Sequence, residues 1–133
     1  MSLLLALAAA AQAPEPAAPP SASPAAAAPA MPAAFLGEWA PSAALCGDKY
    51  ARRIVTASMN TEGDYWGVVK AVEVIEPAHI VVREGDDDFG VALTADYVLS
   101  PDRRMMVLHV LERSGAKVSE APIPMVRCEV ARG

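Results

Sequence analysis

Apolar and polar residues alternate along the second half of this chain. The clearest stretch spans residues 91–99, where one face carries Val91, Leu93, Ala95, Tyr97 and Leu99. A period of two predicts a β-strand with one buried face. Turn residues follow at 100–103, and Met106, Leu108 and Val110 then share a face. We expect these two segments to form a hairpin.

Further short strands are indicated on both sides of this hairpin. They are Phe35 to Ala40, Ala51 to Met59, Tyr65 to Ile75, a segment around Ile80 and Val82, and Ile123 to Val130. Turn residues at 61–64 separate the second of these segments from the third, and those at 84–88 separate the segment around Ile80 and Val82 from the strand at 91–99. The parity of residues 65–75 is mixed, which predicts either a β-bulge or a strand covered on both faces.

This pattern gives seven or eight antiparallel strands and no long helix. We therefore predict an all-β domain, either a small antiparallel up-and-down barrel or a tight sandwich. Closure into a barrel is the more economical arrangement because it leaves no exposed strand edge.

The N-terminal part of the chain has a different composition. Residues 1–13 are an apolar run ending in Ala11-Gln12-Ala13, the pattern of a secretory signal peptide. An alanine-rich tail on a cytosolic protein is the alternative. Residues 14–34 are rich in alanine and proline and predict a disordered linker. The folded domain is expected at 35–133. The apolar run is too short to span a bilayer, so we expect no stable membrane span.

The two cysteines, Cys46 and Cys128, lie near the two ends of this predicted domain. In an exported domain they predict one disulfide, which would tie the segment after the first strand to the last strand. A periplasmic or secreted location follows from the same reasoning. A nucleophilic Cys46 is the less favoured alternative.

The charge of the chain narrows its partners. The formal net charge is −5, so the chain lacks the basic footprint of a nucleic-acid-binding protein. An acidic surface would instead suit a basic protein partner.

No motif predicts catalytic, cofactor-binding or metal-binding residues. Acidic residues at 84 and 86–88 lack the spacing of a calcium loop and are expected at a solvated hairpin tip. His79 and His109 lack zinc-ligand spacing and are expected at a strand surface or the edge of the core. Trp39 and Trp66 are expected in the core, with a ligand pocket as the alternative. We expect neither a cofactor nor enzymatic activity.

Four short motifs carry a resemblance. They are Gly37-x-Trp39, Cys46, Leu99-Ser100-Pro101-Asp102 and Arg127-Cys128. Together they resemble small uncharacterised exported β-barrel proteins of Gram-negative bacteria. The opening motif is also similar to those of lipocalin-like barrels and of periplasmic barrels that inhibit metalloproteases or lysozymes. No inhibitory motif is matched, so the resemblance implies an exported barrel and no inhibitory residues.

Two functions remain open on these grounds. The first is an exported, non-catalytic binding module, an inhibitor or a partner of another envelope or extracellular protein. The second is a carrier of a small apolar ligand in a lipocalin-like barrel, for which the adaptable side chains of the methionines are suited. We expect the interior of so small a barrel to be filled by its own side chains, which favours the first function.

Overall fold

The computed structural model of the protein describes residues 29–129. The predicted signal peptide at residues 1–13, residues 14–28 of the predicted linker, and residues 130–133 lie outside this range. Within residues 29–129, neither helix is long and apolar enough to cross a membrane.

Nine strands and two short 3₁₀ helices make up this part of the chain. The strands are β1 (Gly37–Ala40), β2 (Arg53–Val55), β3 (Met59–Glu62), β4 (Tyr65–Glu76), β5 (His79–Asp86), β6 (Val91–Leu99), β7 (Met105–Arg113), β8 (Ala116–Lys117) and β9 (Ile123–Arg127). The 3₁₀ helices are Ala33–Phe35 and Ala43–Leu45.

Eight of the strands close into an antiparallel barrel. Strands β1 to β7 follow one another around it, and β9 pairs with both β7 and β1. Strand β8 is the additional strand and pairs with the end of β7. The prediction of a small all-β domain is confirmed. Of the two predicted arrangements, the structure is the closed barrel and not the sandwich. A closed sheet removes the exposed edges that would otherwise pair with other chains.

The disulfide lies at the junction between the first and last strands. Cys46 and Cys128 are bonded, with their Cα atoms 5.6 Å apart and 82 positions apart in sequence. Cys128 follows β9 directly and is buried. The bond therefore fastens the β1–β9 contact that closes the barrel.

One end of the barrel is filled by large side chains. Three side chains are fully buried there: Phe35, Trp39 and Met106. Met31, which precedes the first 3₁₀ helix in the chain, packs in the same core cluster. Residues 31–34, which we expected in the linker, therefore belong to the packed domain. We call this end of the barrel the closed end.

The glycine of the opening motif permits the closed end to form. Gly37 has φ of +135°, and a Cβ atom there would lie 2.9 Å from Nη1 of Arg127. That guanidinium donates to the carbonyl oxygens of Leu36 and Ala34 at 2.7 and 2.9 Å. A side chain at position 37 would be strained and would displace it.

Several predicted segments differ from the structure. The first strand begins at Gly37, because Phe35 belongs to a 3₁₀ helix, and the last strand ends at Arg127. Residues 51–59 do not form one strand, because the chain turns at 56–58 between β2 and β3. Thr61 and Glu62 belong to β3, so the turn before β4 is only Gly63-Asp64. In β4, the mixed parity arises from register shifts at Val69/Ala71 and at Val74/Glu76, so the bulge interpretation is correct.

Candidate functional site

The end of the barrel opposite Phe35 contains an open cavity of about 360 Å³. We call this end the open mouth; the β3–β4, β5–β6 and β7–β8 turns lie around it. The cavity is lined by Tyr50, Arg53, Glu62, Gly63, Asp64, Tyr65, Glu84, Val91, Leu93, Ala95, Leu108, Val110, Arg113 and Ile123. Its volume lies near the lower limit of small-molecule sites, which span about 300–1,000 Å³.

The cavity corrects our expectation of a filled barrel. The bulkiest core side chains lie at the closed end, whereas the wall of the cavity includes the small side chain of Ala95 on β6. Polar side chains then occupy part of the interior that apolar ones would fill.

A buried ion pair forms the polar part of the cavity. Arg53 and Glu84 are only 3% and 2% exposed, and Nη2 of Arg53 lies 2.5 Å from Oε1 of Glu84. Arg53 also donates through the same nitrogen to the hydroxyl of Tyr97, and that hydroxyl donates to Oε1 of Glu84. Burial of such a pair costs desolvation energy, which these additional hydrogen bonds offset.

Three neighbouring side chains extend the network. Tyr65 donates to Oε2 of Glu84 at 3.2 Å, and Asn60 donates through Nδ2 to the Tyr97 hydroxyl at 3.2 Å. Glu62 accepts from Nη1 of Arg53 at 3.2 Å. Strand register explains the assembly, because Tyr65, Glu62 and Arg53 are direct cross-strand neighbours on the inner face of β4, β3 and β2. We call these six residues the polar network.

Burial and charge shift the acidity of the network. Burial raises the pKa of both tyrosines, Tyr97 and Tyr65, above the ordinary value, and the charge of Glu84 raises each pKa further. Burial opposes the positive charge of Arg53, but Tyr97 and Glu84 outweigh it and raise its pKa. Both phenols therefore stay protonated, and the guanidinium stays charged, at neutral pH.

A glycine makes room for the network. Gly67 on β4 faces the barrel interior, where a Cβ atom would collide with Oε2 of Glu84 and with the hydroxyl of Tyr65. No larger residue fits there without displacing the Tyr65–Glu84 hydrogen bond. Two atoms of the network, Nε of Arg53 and Oδ1 of Asn60, are buried without a hydrogen-bond partner within residues 29–129.

The two walls of the cavity differ in chemistry. Strands β6, β7 and β9 supply a mainly apolar wall, with Arg113 at its rim at the end of β7; its apolar side chains are Val91, Leu93, Ala95, Leu108, Val110 and Ile123. The opposite wall carries Arg53, Glu62, Tyr65 and Glu84 from β2 to β5. Such a site fits a molecule with an apolar body and one polar side, which is the usual composition of small-ligand pockets.

The structure separates the residues that the sequence singled out. Glu84 does not lie at a solvated hairpin tip, because it is buried opposite Val69 within the barrel; Asp87 and Asp88 are exposed in the turn. Trp39 is in the core as predicted, but Trp66 lies on the outer face and is 59% exposed. Both faces of β4 are apolar around Trp66, so alternation alone could not orient it.

The histidines lie on the outer surface of the barrel. His79 is half-buried and bonds to Asp96 at 2.8 Å, and His109 bonds through Nε2 to the carbonyl of Glu120. In residues 29–129, no three His, Cys, Asp or Glu side chains are grouped to hold a metal ion. Cys46 is held in the disulfide.

Comparison with known proteins gives no assignment. No protein-family model matches the chain, and neither a curated protein nor a solved structure shows significant similarity to it. The proposed function therefore rests on the chemistry of the open mouth.

Proposed function

We propose that this protein is an exported, non-catalytic binding module whose open mouth takes up a small, largely apolar ligand. The observation that carries the proposal is the cavity of about 360 Å³, with one apolar wall and a buried polar network opposite. The barrel is the scaffold of many ligand carriers, and the Gly37-x-Trp39 motif resembles that of lipocalin-like barrels.

The state of the polar network supports binding without catalysis. Arg53, Glu84 and Tyr97 hydrogen-bond to one another, and Tyr65 and Tyr97 have raised pKa values. A general acid or base works best with a pKa close to the operating pH. The phenols of Tyr65 and Tyr97 are shifted away from that range.

The disulfide supports export. A Cys46–Cys128 bond persists in an oxidising compartment and would be reduced in the cytosol. A periplasmic or secreted protein of this kind would meet its ligand outside the cytoplasm.

The test is uptake of a neutral apolar dye. N-phenyl-1-naphthylamine is expected to gain fluorescence on entering the cavity, and Ala95→Leu is expected to suppress this gain by filling the cavity from its apolar wall. Ala92→Leu is the matched control, because Ala92 lies on the outer face of the same strand. Leu93→Trp provides a second block at the mouth if Ala95→Leu does not fold. Equal dye binding by the blocked and control variants would contradict the proposal.

Binding of a protein partner is the second candidate function. Tyr50, Trp66 and Phe89 are 66%, 59% and 81% exposed, and all three lie at the same end of the barrel as the open mouth. Exposed aromatic side chains are enriched in protein interfaces. The acidic chain would suit a basic partner.

This candidate predicts a selective loss of crosslinking. A Tyr50→Ser/Phe89→Ser variant is expected to lose a crosslinked envelope partner that the native protein retains. Val98→Ser/Val107→Ser alters exposed apolar residues on the barrel wall and serves as the control. Equal crosslinking by both variants would show that Tyr50 and Phe89 do not bind such a partner, which contradicts this candidate function.

A further inference from the structure

The charges that face the cavity do not balance. Arg53 is the one cation of the polar network, and it contacts two carboxylates, Glu84 at 2.5 Å and Glu62 at 3.2 Å. One positive charge therefore serves two negative charges. The cavity retains the equivalent of one carboxylate that lacks a cation of its own.

The other two charged side chains of the cavity do not alter this balance. Asp64 pairs with Lys49 at 3.3 Å, and Arg113 pairs with both carboxylate oxygens of Glu120. Neither Lys49 nor Glu120 lines the cavity. Each of these two pairs is neutral, so the cavity keeps a net excess of one negative charge, and the charge of Glu62 also acts on Arg113.

Glu62 is the more exposed of the two carboxylates that share Arg53. Its side chain is 39% exposed, whereas that of Glu84 is 1% exposed. Among the hydrogen bonds of residues 29–129, Glu62 uses Oε2 for Arg53. Glu62 therefore lines the cavity with a partly exposed carboxylate whose second oxygen takes part in none of these hydrogen bonds.

Aromatic rings accompany this carboxylate. Tyr65 is the cross-strand neighbour of Glu62, and Tyr50 lines the same cavity. A carboxylate together with aromatic faces is a combination that binds an ammonium group, through charge and through cation–π attraction. The apolar wall of β6 and β7 then accommodates the hydrocarbon attached to it.

We propose that the cavity selects a cationic amphiphile, a small apolar molecule with an amine or quaternary ammonium head, over a neutral analogue and over a fatty acid. The inference rests on the proposed ligand-binding function. A fatty-acid carboxylate would meet Glu62 and Glu84, and the two cations that line the cavity already have partners: Arg53 is shared between those two carboxylates, and Arg113 pairs with Glu120. Like charges at this separation repel.

The experiment compares three ligands with one hydrocarbon chain. Decylamine, decan-1-ol and decanoate are each titrated at pH 7 against bound N-phenyl-1-naphthylamine, below their aggregation concentrations. We expect decylamine to bind about tenfold more tightly than decan-1-ol, and decanoate to bind most weakly, as for a charge pair at a half-buried position. Decyltrimethylammonium is expected to follow decylamine, because cation–π attraction does not need an N–H donor.

A charge-neutral variant locates the preference. Glu62→Gln is expected to bring the affinities for decylamine and decan-1-ol to within about twofold of each other, since it removes the excess carboxylate. Asp88→Asn is the control, because it removes the same charge from an exposed turn at the same end without touching the cavity. The ligand series on the native protein needs no variant, so the proposal stays testable if Glu62→Gln does not fold.

The outcomes separate this inference from the function on which it rests. Decanoate binding as tightly as decylamine, or an unchanged preference in Glu62→Gln, would overturn the choice of a cationic ligand while leaving a ligand-binding cavity. Binding of none of the four ligands, with no dye uptake, would overturn the ligand-binding function itself.

Discussion

The guanidinium of Arg127 lies over the ring of Trp39, with 4.2 Å between its central carbon and the ring centroid. Arg127 is on the last strand and Trp39 on the first, and the two are cross-strand partners. The contact thus joins the strands that the disulfide also fastens. The planar fork of arginine can stack on the ring and reach the carbonyls of Leu36 and Ala34 together.

Replacing this arginine by lysine is expected to destabilise the barrel. Arg127→Lys keeps the charge but loses the planar stacking and at least one of the carbonyl contacts, which we expect to lower the free energy of unfolding by about 2 kcal/mol. Urea unfolding followed by tryptophan fluorescence measures the change. Arg104→Lys is the control, since Arg104 is exposed; equal stability of the two variants would contradict the structural role of the stacking.

The buried pair of Arg53 and Glu84 is expected to be strongly coupled. Arg53→Met alone leaves Glu84 buried without its cation and is expected to cost about 3–5 kcal/mol. Arg53→Met/Glu84→Met removes both charges and is expected to recover much of that loss. A double-mutant cycle by urea unfolding measures the coupling.

The exposed pair Lys49–Asp64 provides the comparison for this cycle. Its side chains are 62% and 81% exposed, so its coupling is expected to stay below about 1 kcal/mol. A coupling between Arg53 and Glu84 no larger than that of the exposed pair would show that the polar network does not behave as a buried ion pair.

Alkaline pH is expected to weaken the fold through the buried phenols. The pKa of Tyr97 is raised in the folded protein, first by burial and then by Glu84. Its stabilising effect is therefore complete below the unfolded pKa of about 10 and is lost as the pH rises toward the folded value. The free energy of unfolding is expected to fall above pH 10, by up to about 1.4 kcal/mol per pH unit for each such phenol.

A phenylalanine variant isolates the contribution of Tyr97. Tyr97→Phe is expected to be less stable at pH 8, because Arg53 and Asn60 lose an acceptor, but to show a shallower decline between pH 10 and 11. Urea unfolding across this pH range gives both slopes. Identical slopes in the native and variant proteins would mean that Tyr97 ionises at an ordinary pKa in the fold.

The sequence predicted the outer architecture better than the interior chemistry. Alternation located β6 and β7, because the buried face of each strand carries a residue that is apolar at every second position. The two cysteines predicted the disulfide, because two cysteines allow only one pairing within the chain. The barrel itself followed from the number of short antiparallel strands.

The sequence did not predict the polar network, and the reason is physical. Alternation assigns charged residues to solvent, whereas Glu84 continues the inward face of Ile80 and Val82. Its parity was therefore a signal for burial that the neighbouring acidic turn obscured. Arg53 carried no such signal, because Ile54 and Val55 are both apolar and leave the parity of β2 undefined. Only the strand register, which the sequence does not specify, brings Arg53 and Glu84 together.

Loss of the disulfide is expected to destabilise the domain, because the unfolded chain has more conformational freedom without the bond. For residues 82 positions apart the loop-entropy relation gives about 4.5 kcal/mol, and measured values generally fall lower, at about 2–4 kcal/mol. Cys46→Ser/Cys128→Ser is compared with Cys46→Ser/Cys128→Ala, because Cys128 is buried and a hydroxyl there adds its own cost. Urea midpoints equal to that of the oxidised native protein would contradict the prediction.

The glycine at position 67 links the backbone of β4 to the chemistry of the cavity. Gly67→Ala would place a methyl group against Oε2 of Glu84 and the hydroxyl of Tyr65, so at least one of them must move. Displacing Glu84 disturbs its pairing with Arg53, and we expect a loss of about 2–3 kcal/mol in the free energy of unfolding. Dye binding is expected to weaken as well, because the displaced side chains enter the cavity.

Gly47→Ala is the matched control, since nothing lies within 4 Å of a Cβ atom there. Urea unfolding and N-phenyl-1-naphthylamine titration of both variants decide the matter, and a Gly67→Ala protein that matches Gly47→Ala in both measurements would show that the network tolerates a side chain at this position.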